Sequence, residues 1–282
     1  MTSIAEALRY AQDILSDNGI AEPRRESVSL LARTLEKDKT FLYAHPEDAL
    51  SYDEKTLFES YLNRRAAREP FQYITGVQEF YGLDFEVTPD VLIPRPETEM
   101  VVEQALAILS DHDAPTFCEI GAGSGCISIS ILHAMPAARA VAVDVSSAAL
   151  EVTRRNAQRH SVDGRLELIE SDVFGRLGDE SFDAIVSNPP YVPVRDFAGL
   201  QAEVRDFEPH LALTDGSDGL SIIRRIIRDS PRFLRPGGHL LMEIGFDQSE
   251  KVAPMFDQAV WLMPNFLPDL QGIPRLVSAG LK

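Results

Sequence analysis

At 282 residues the chain is long enough for two domains, and 44% apolar with 25% charged residues is an ordinary globular composition. Twenty-seven lysines and arginines against 44 acidic residues give a formal charge of −17, which argues against a partner held chiefly through phosphates, because such binding needs neutralising cations. No apolar run approaches the roughly 18 residues that span a bilayer, and Met1-Thr2-Ser3-Ile4-Ala5-Glu6 lacks a basic stretch leading into an apolar core, so a cytoplasmic protein with no membrane partner is expected.

The first seventy-odd residues read as helices. Ile4, Leu8, Ala11 and Leu15 recur at helical spacing behind a Ser3 cap; Val28, Leu31 and Leu35 repeat it, and Leu57, Tyr61 and residues 64–67 suggest a further helix. Pro23, Pro46 and Pro70 punctuate a small bundle. From Glu79 to Val87 the pattern becomes aromatic and alternating around Gly82 and Asp84, which predicts a hairpin. The predicted organisation is a helical domain over residues 1–76, a hairpin connector over 77–98 and an α/β domain over 99–282.

Beyond Glu99, strand-like and helical patterns alternate: strand 116–120, helix from Ser124, strand 138–145, helix from Ser146, strand 166–170, strand 182–186. A helix over 219–233, a strand at 239–244 and strand-like pieces at 259–263 and 275–278 complete the chain. This alternation predicts an α/β fold with a doubly wound, mostly parallel sheet. Arg224, Arg225, Arg228, Arg232 and Arg235 read as a solvated helix face, since Ile222, Ile223, Ile226 and Ile227 form the opposing apolar side. Cys118 and Cys126 form no CxxC pair and the six histidines lack ligand spacing, so no metal is expected.

Glu119-Ile120-Gly121-Ala122-Gly123-Ser124-Gly125 joins the first strand of the α/β half to its helix. Glycines there permit a tight turn and close backbone approach to a ligand at a helix N-terminus. Asp144 ends the next strand, about twenty residues on, where an acidic group meets ribose hydroxyls in nucleotide-binding folds; it would serve equally as a cap for the helix opening at Ser146-Ser147. The G-x-G-x-G spacing differs from dinucleotide and phosphate-loop patterns, and no lysine is present to meet a triphosphate. With Ser171-Asp172-Val173-Phe174 after the third strand, the arrangement resembles the S-adenosyl-L-methionine (SAM) site of class I methyltransferases. That resemblance implies Gly121 to Gly125 against the methionine portion, Asp144 on the ribose and Asp172-Val173 beside the adenine.

Ser187-Asn188-Pro189-Pro190-Tyr191-Val192 ends the fourth strand, because two prolines cannot continue a ladder. Ligands of doubly wound sheets collect at the carboxyl ends of the strands, so this turn faces the methyl donor. Asn188 and the Pro189 carbonyl are expected to hold a planar NH₂ group, with Pro190 and Tyr191 completing the substrate site and Tyr191 stacking on the acceptor. The Asn-Pro-Pro-Tyr motif is similar to that of methyltransferases acting on base amines and on glutamine amides, which leaves the acceptor open.

The resemblance extends to the HemK/PrmC family of peptide chain release factor glutamine methyltransferases. Glu69 to Gly76, Pro94-Arg95-Pro96-Glu97-Thr98-Glu99, the Asn188 turn, Phe207-Glu208-Pro209, Leu211-Ala212-Leu213, Asp218-Gly219-Leu220, Glu243-Ile244-Gly245, and the late Asp269, Gly272 and Arg275 look like family signatures in family order. This implies methylation of the glutamine side-chain amide in the Gly-Gly-Gln loop of class 1 release factors, with no direct nucleic-acid binding. Glu119 stands where the family commonly has Asp, and Val173 where it often has an aromatic residue. The segment 94–99 is expected either to cross the mouth of the SAM pocket and orient Asn188, or to be a rigid linker. An adenine methyltransferase and a non-catalytic SAM-sensing module are rival readings; the charge and the missing recognition domain count against the first, and the presence of Asn188 and Tyr191 against the second.

Overall fold

The computed structural model describes residues 2–282. In chain order its elements begin with α1 (Ile4–Asp17), α2 (Pro23–Leu35), α3 (Lys39–Ala44), α4 (Tyr52–Ala66), α5 (Phe71–Thr75), β1 (Val77–Phe80) and β2 (Leu83–Glu86). There follow α6 (Glu99–Leu109), β3 (Thr116–Ile120), α7 (Cys126–Ala134), β4 (Arg139–Asp144), α8 (Ser147–Arg159), β5 (Leu166–Glu170) and β6 (Phe182–Ser187). The last part holds α9 (Val194–Phe197), α10 (Ala202–Phe207), α11 (His210–Leu213), α12 (Ser221–Asp229), β7 (Leu234–Glu243), α13 (Ser249–Val252), β8 (Asn265–Pro268) and β9 (Pro274–Gly280). They form two compact units, Met1–Gly76 with Gln201–Phe207, and Val77–Leu200 with Glu208–Lys282.

In the first unit, α1 and α4 start at reciprocal caps: Ser3 with Glu6, and Ser51 with Glu54. Pro23 sits at the first position of α2, where its missing N–H costs nothing. Ile4, Ala11 and Leu15 of α1 pack against Leu30 and Leu31 of α2 and Phe58 and Leu62 of α4. The buried Arg65 guanidinium is matched by the carboxylates of Glu26 and Glu203.

The second unit is built on a seven-stranded sheet in the order β5-β4-β3-β6-β7-β9-β8. The four pairings from β5 to β7 are parallel, and the two involving β9 are antiparallel. All of β6 and nearly all of β3 and β4 are buried, as expected of parallel strands covered on both faces. One face carries α6, α7 and α8, with Val102, Ile129 and Ala157 in its core; the other carries α12, through Ile223, Ile226 and Ile227, together with Trp261. The β1–β2 hairpin belongs to this unit. It drives Phe80 and Phe85 into the first face, and its Glu86 N–H donates to Asn156 Oδ1 on α8 (2.7 Å).

The chain runs outward from β3 to β4 to β5, then crosses back to place β6 on the other side of β3. Ile120 and Ser187 are register partners, and Ser187 Oγ donates to the Ile120 carbonyl (2.7 Å). The loops that follow β3 and β6 therefore emerge side by side at a topological switch point, where open α/β sheets bind ligands.

Several predicted boundaries move. The helix expected from Ser124 starts at Cys126, because Gly125 takes a left-handed φ of 79° as its N-cap. The helix expected over 219–233 is α12 followed by a 3₁₀ turn, Ser230–Arg232, where Pro231 enters. The strand expected at 259–263 is not one: Val260 and Trp261 donate their N–H groups back to the Asp257 carbonyl, and only an isolated bridge joins Trp261 to Leu281. That apolar run reflects the burial of Trp261, and the edge strand is β8.

Candidate active site

A cavity of about 630 Å³ opens at the switch point. Glu119, Gly121, Ala122, Gly123, Ser124, Asp144, Asp172, Val173, Asn188 and Pro190 border it, together with parts of the segments 90–98 and 209–216. Gly125, Pro189 and Tyr191, also expected at the site, are not among the residues that border it and adjoin ones that do.

The glycine loop is held from several sides. The N–H groups of Gly121 and Ala122 donate to the Val143 carbonyl (2.9 and 3.0 Å). A Cβ at Gly125 would lie 2.7 Å from Thr153 Cγ2 and 2.8 Å from Ile129 Cδ1, so this glycine lets α7 pack against α8. Having no side chain, Gly125 cannot cap α7, and Glu119 substitutes for it: its Oε2 accepts the Ser128 N–H at the third helical position (3.0 Å). Burial raises the Glu119 carboxyl to about 8, against the pull of the Ser128 hydrogen bonds.

Asp144 joins two loops through one carboxylate. Its Oδ2 accepts from Gly123 N and its Oδ1 from Ser146 N, both at 2.9 Å. Burial moves its pKa upward, with the amides of Gly123, Ser146 and Val145 opposing. The ribose and turn readings of this residue are thus compatible, since a carboxylate offers about four lone-pair sites. Asp172 pairs with Arg225 (2.9 Å). Arg224 and Arg228 are likewise paired, with Asp218 and Asp229. Val173 is buried in a left-handed conformation, φ 52°, strained for a β-branched side chain.

Asn188 is anchored by its nitrogen. Nδ2 donates to Thr98 Oγ1 (2.9 Å), and Thr98 Oγ1 donates to Glu243 Oε2 (2.6 Å). The other carboxylate oxygen of Glu243 accepts the Tyr191 hydroxyl (3.1 Å). Tyr191 thus braces the wall instead of lying open for a stacked acceptor: its ring packs against the core beside α12, and a Cβ on Gly245 would be 3.0 Å from its Cδ2. Its main-chain carbonyl accepts from Gln248 Nε2 (3.0 Å), and Gln248 Oε1 accepts the Gly245 N–H.

The segment 94–99 touches the site through Thr98 and through Arg95, which pairs with Glu208. Glu208 Oε2 also accepts the Ile93 N–H (3.2 Å), tying the segment before α6 to the loop that precedes α11. Sequence reasoning expected the segment 94–99 to orient Asn188 without naming Thr98 as the contact, and assigned no role to Glu243 or Gln248 in shaping the site. A signal for Glu243 existed: it is an acidic residue ending β7 at the same sheet edge at which Asn188 ends β6.

A profile described as PrmC N-terminal domain matches residues 6–76, and one described as Methyltransferase small domain matches residues 102–202. Among its relatives, the protein named release factor glutamine methyltransferase in Geobacter sulfurreducens is 42% identical, covering 99% of this chain and 97% of its own. That of Cereibacter sphaeroides is 45% identical over 98% of both. The hMettl16 catalytic domain, solved in complex with MAT2A 3′UTR hairpin 6, superposes with a TM-score of 0.58 at 16% identity over 77% of this chain and 81% of its own; at that identity the likeness concerns the fold alone. With full-length relatives at this identity and two profiles in order along it, the chain belongs to the release factor glutamine methyltransferase family.

Proposed function

We propose that the chain methylates, with SAM as donor, the side-chain amide nitrogen of the glutamine in the Gly-Gly-Gln motif of class 1 peptide chain release factors. The observation that carries this reading is the meeting of the Gly121–Gly123 loop, Asp144 and Asn188 on one cavity at the β3/β6 switch point. Family membership supplies the acceptor.

The cavity suits SAM in size and charge. Its borders carry the carboxyl groups of Asp90, Asp144, Asp172 and Asp215, beside a buried Glu119 held in its protonated form and an Arg95 already paired with Glu208; the four aspartates favour a cationic ligand and disfavour a phosphate-bearing one. Gly121 to Ser124 would receive the amino-acid portion, Asp144 the ribose hydroxyls, and Asp172 and Val173 the adenine. Bound there, SAM supplies an electrophilic methyl group on positively charged sulfur. The acceptor amide nitrogen is planar and a weak nucleophile. The Asn188 carboxamide oxygen and the adjacent Pro189 carbonyl accept its two N–H hydrogens, orient it, and stabilise positive charge that develops on it. Tyr191 holds the turn in place through Glu243. No strong base is required, because the charged product nitrogen loses its proton readily to water.

Residues 1–76 serve recognition of the release factor in this reading, supported by the match to a domain characteristic of the family. A translation-termination substrate sets the reaction in the cytoplasm. Among the described residues, no helix is long and apolar enough to cross a membrane.

The test incubates the protein with methyl-labelled SAM and either a class 1 release factor or adenine-containing DNA, and locates the label by peptide mass spectrometry. Label on the glutamine of the Gly-Gly-Gln peptide is expected. Label on DNA, with none on the release factor, would overturn the reading.

A further inference from the structure

A hydroxyl has one proton to give, and at Thr98 its destination decides how Asn188 is turned. Thr98 and Glu243 are both 2% exposed, so water does not compete for their hydrogen bonds. An ionised Glu243 can only accept. Thr98 then donates to Oε2 (2.6 Å), and its lone pairs accept from Asn188 Nδ2 (2.9 Å). Since the carboxamide is planar, holding Nδ2 on Thr98 directs Oδ1 the opposite way, and among the described residues no hydrogen bond is made to it.

Protonation of Glu243 permits the reverse chain. A carboxylic O–H donates to Thr98 Oγ1, the Thr98 proton turns toward Asn188, and the amide gains by rotating about its last side-chain bond to present its oxygen to Thr98. Its NH₂ then replaces the oxygen that was to meet the acceptor, and two donors oppose each other. We propose that Glu243, acting through Thr98, is a positioning residue that sets which end of the Asn188 carboxamide is offered to the acceptor amine, so that turnover requires its carboxylate form. This rests on the role given to Asn188 above.

The surroundings put that proton within an accessible range. Burial raises Glu243 to about 7, opposed by the hydrogen bonds from Thr98 and Tyr191 and by the Arg275 guanidinium on β9, and reinforced by Glu97. From α7, the Cys126 thiol is kept neutral by its own burial. The Tyr191 phenol, pushed upward by burial and by Glu243, stays protonated and keeps donating to Oε1. Carboxylate, hence productive amide, grows as pH rises through about 7.

The experiment combines NMR of the ¹⁵N-labelled protein without SAM with steady-state kinetics. The Asn188 side-chain NH₂ signals, assigned by their loss in Asn188→Ala, are expected to titrate with a midpoint near 7 and to stop titrating in Thr98→Val. The kcat of the natural protein is expected to rise with pH through the same midpoint. Thr98→Val is expected to lower kcat by on the order of 10- to 100-fold and to flatten that rise, with SAM affinity unchanged; Thr98→Ser restores both. Glu243→Gln, as a second variant, loses the rise. The proposal is overturned if Thr98→Val keeps the natural kcat and pH profile, if Glu243→Gln keeps the rise, or if the Asn188 signals do not titrate. An inactive Asn188→Ala beside a fully active Thr98→Val removes only this proposal, whereas a fully active Asn188→Ala removes the role of Asn188 itself.

Discussion

Replacing Gly219 by alanine is expected to damage the site from a position outside the cavity. Gly219 has φ 75°, and an added Cβ would lie 2.2 Å from the Tyr191 carbonyl oxygen, 2.9 Å from its carbon and 3.1 Å from Pro193 N. The neighbours are backbone, so no side chain can swing aside. An ordinary C···O approach of about 3.3 Å requires the Tyr191 peptide to retreat by about 1 Å. That displacement loosens the Gln248 bond to the Tyr191 carbonyl, worth about 1 kcal/mol, and the left-handed backbone adds about 1–2 kcal/mol for a residue with a side chain. The sum, about 2–3 kcal/mol, should appear as a Tm lower by roughly 5 °C. Because Tyr191 directly follows the Asn188-Pro189-Pro190 turn, a shift of about 1 Å there should cost on the order of 100-fold in kcat while SAM affinity changes little. Gly237→Ala is the control: its φ is 78°, but nothing lies within 4 Å of the added Cβ, so it shares the backbone cost without the collision. Both variants would be measured by thermal unfolding and by methyl transfer at saturating SAM. A Gly219→Ala protein that turns over within about threefold of Gly237→Ala would refute the reasoning.

Glu119→Gln should flatten the alkaline loss of stability. The Glu119 carboxyl rises from an ordinary 4.5 to about 8 on folding, so its favourable contribution is complete below the unfolded value and disappears as pH climbs through the folded one, by at most about 5 kcal/mol in all. Glutamine retains an acceptor for the Ser128 N–H and has no proton to lose, so Tm measured from about pH 6 to pH 9 should fall less steeply in the variant; parallel curves would contradict the burial argument. Asp144→Ala should weaken SAM binding by about 10- to 100-fold in calorimetry, the usual cost of losing hydrogen bonds to a charged group, with kcat at saturating SAM nearly unchanged; unaltered affinity would reduce Asp144 to a turn residue.

Much of the α/β half was legible because its signals are local. Strands 116–120 and 166–170 announce themselves by apolar runs between turn residues, and the placement of Asn188 beside the glycine loop follows from strand order alone. What stayed hidden is non-local. The segment 94–99 reads equally as a rigid linker until folding brings Thr98 to Glu243, 145 residues away, and nothing in a linear pattern says that Gln248 will clasp the Tyr191 carbonyl. Tyr191 misled for a related reason: an aromatic residue after two prolines looks available for stacking, but its hydroxyl has a buried carboxylate to satisfy. The 259–263 segment shows the limit of hydropathy itself, since one buried tryptophan in a turn produces the same apolar run as a strand.

The central claim is that the Asn188 carboxamide holds the acceptor nitrogen and not the donor. Its most direct measurement is kcat for the release factor beside the Kd for SAM in Asn188→Ala. The expected result is a kcat lower by about 10²–10³, as for removal of one preorganised polar contact, with Kd within about threefold of the natural protein. A Kd weakened as much as kcat, or a kcat that does not fall, would contradict it.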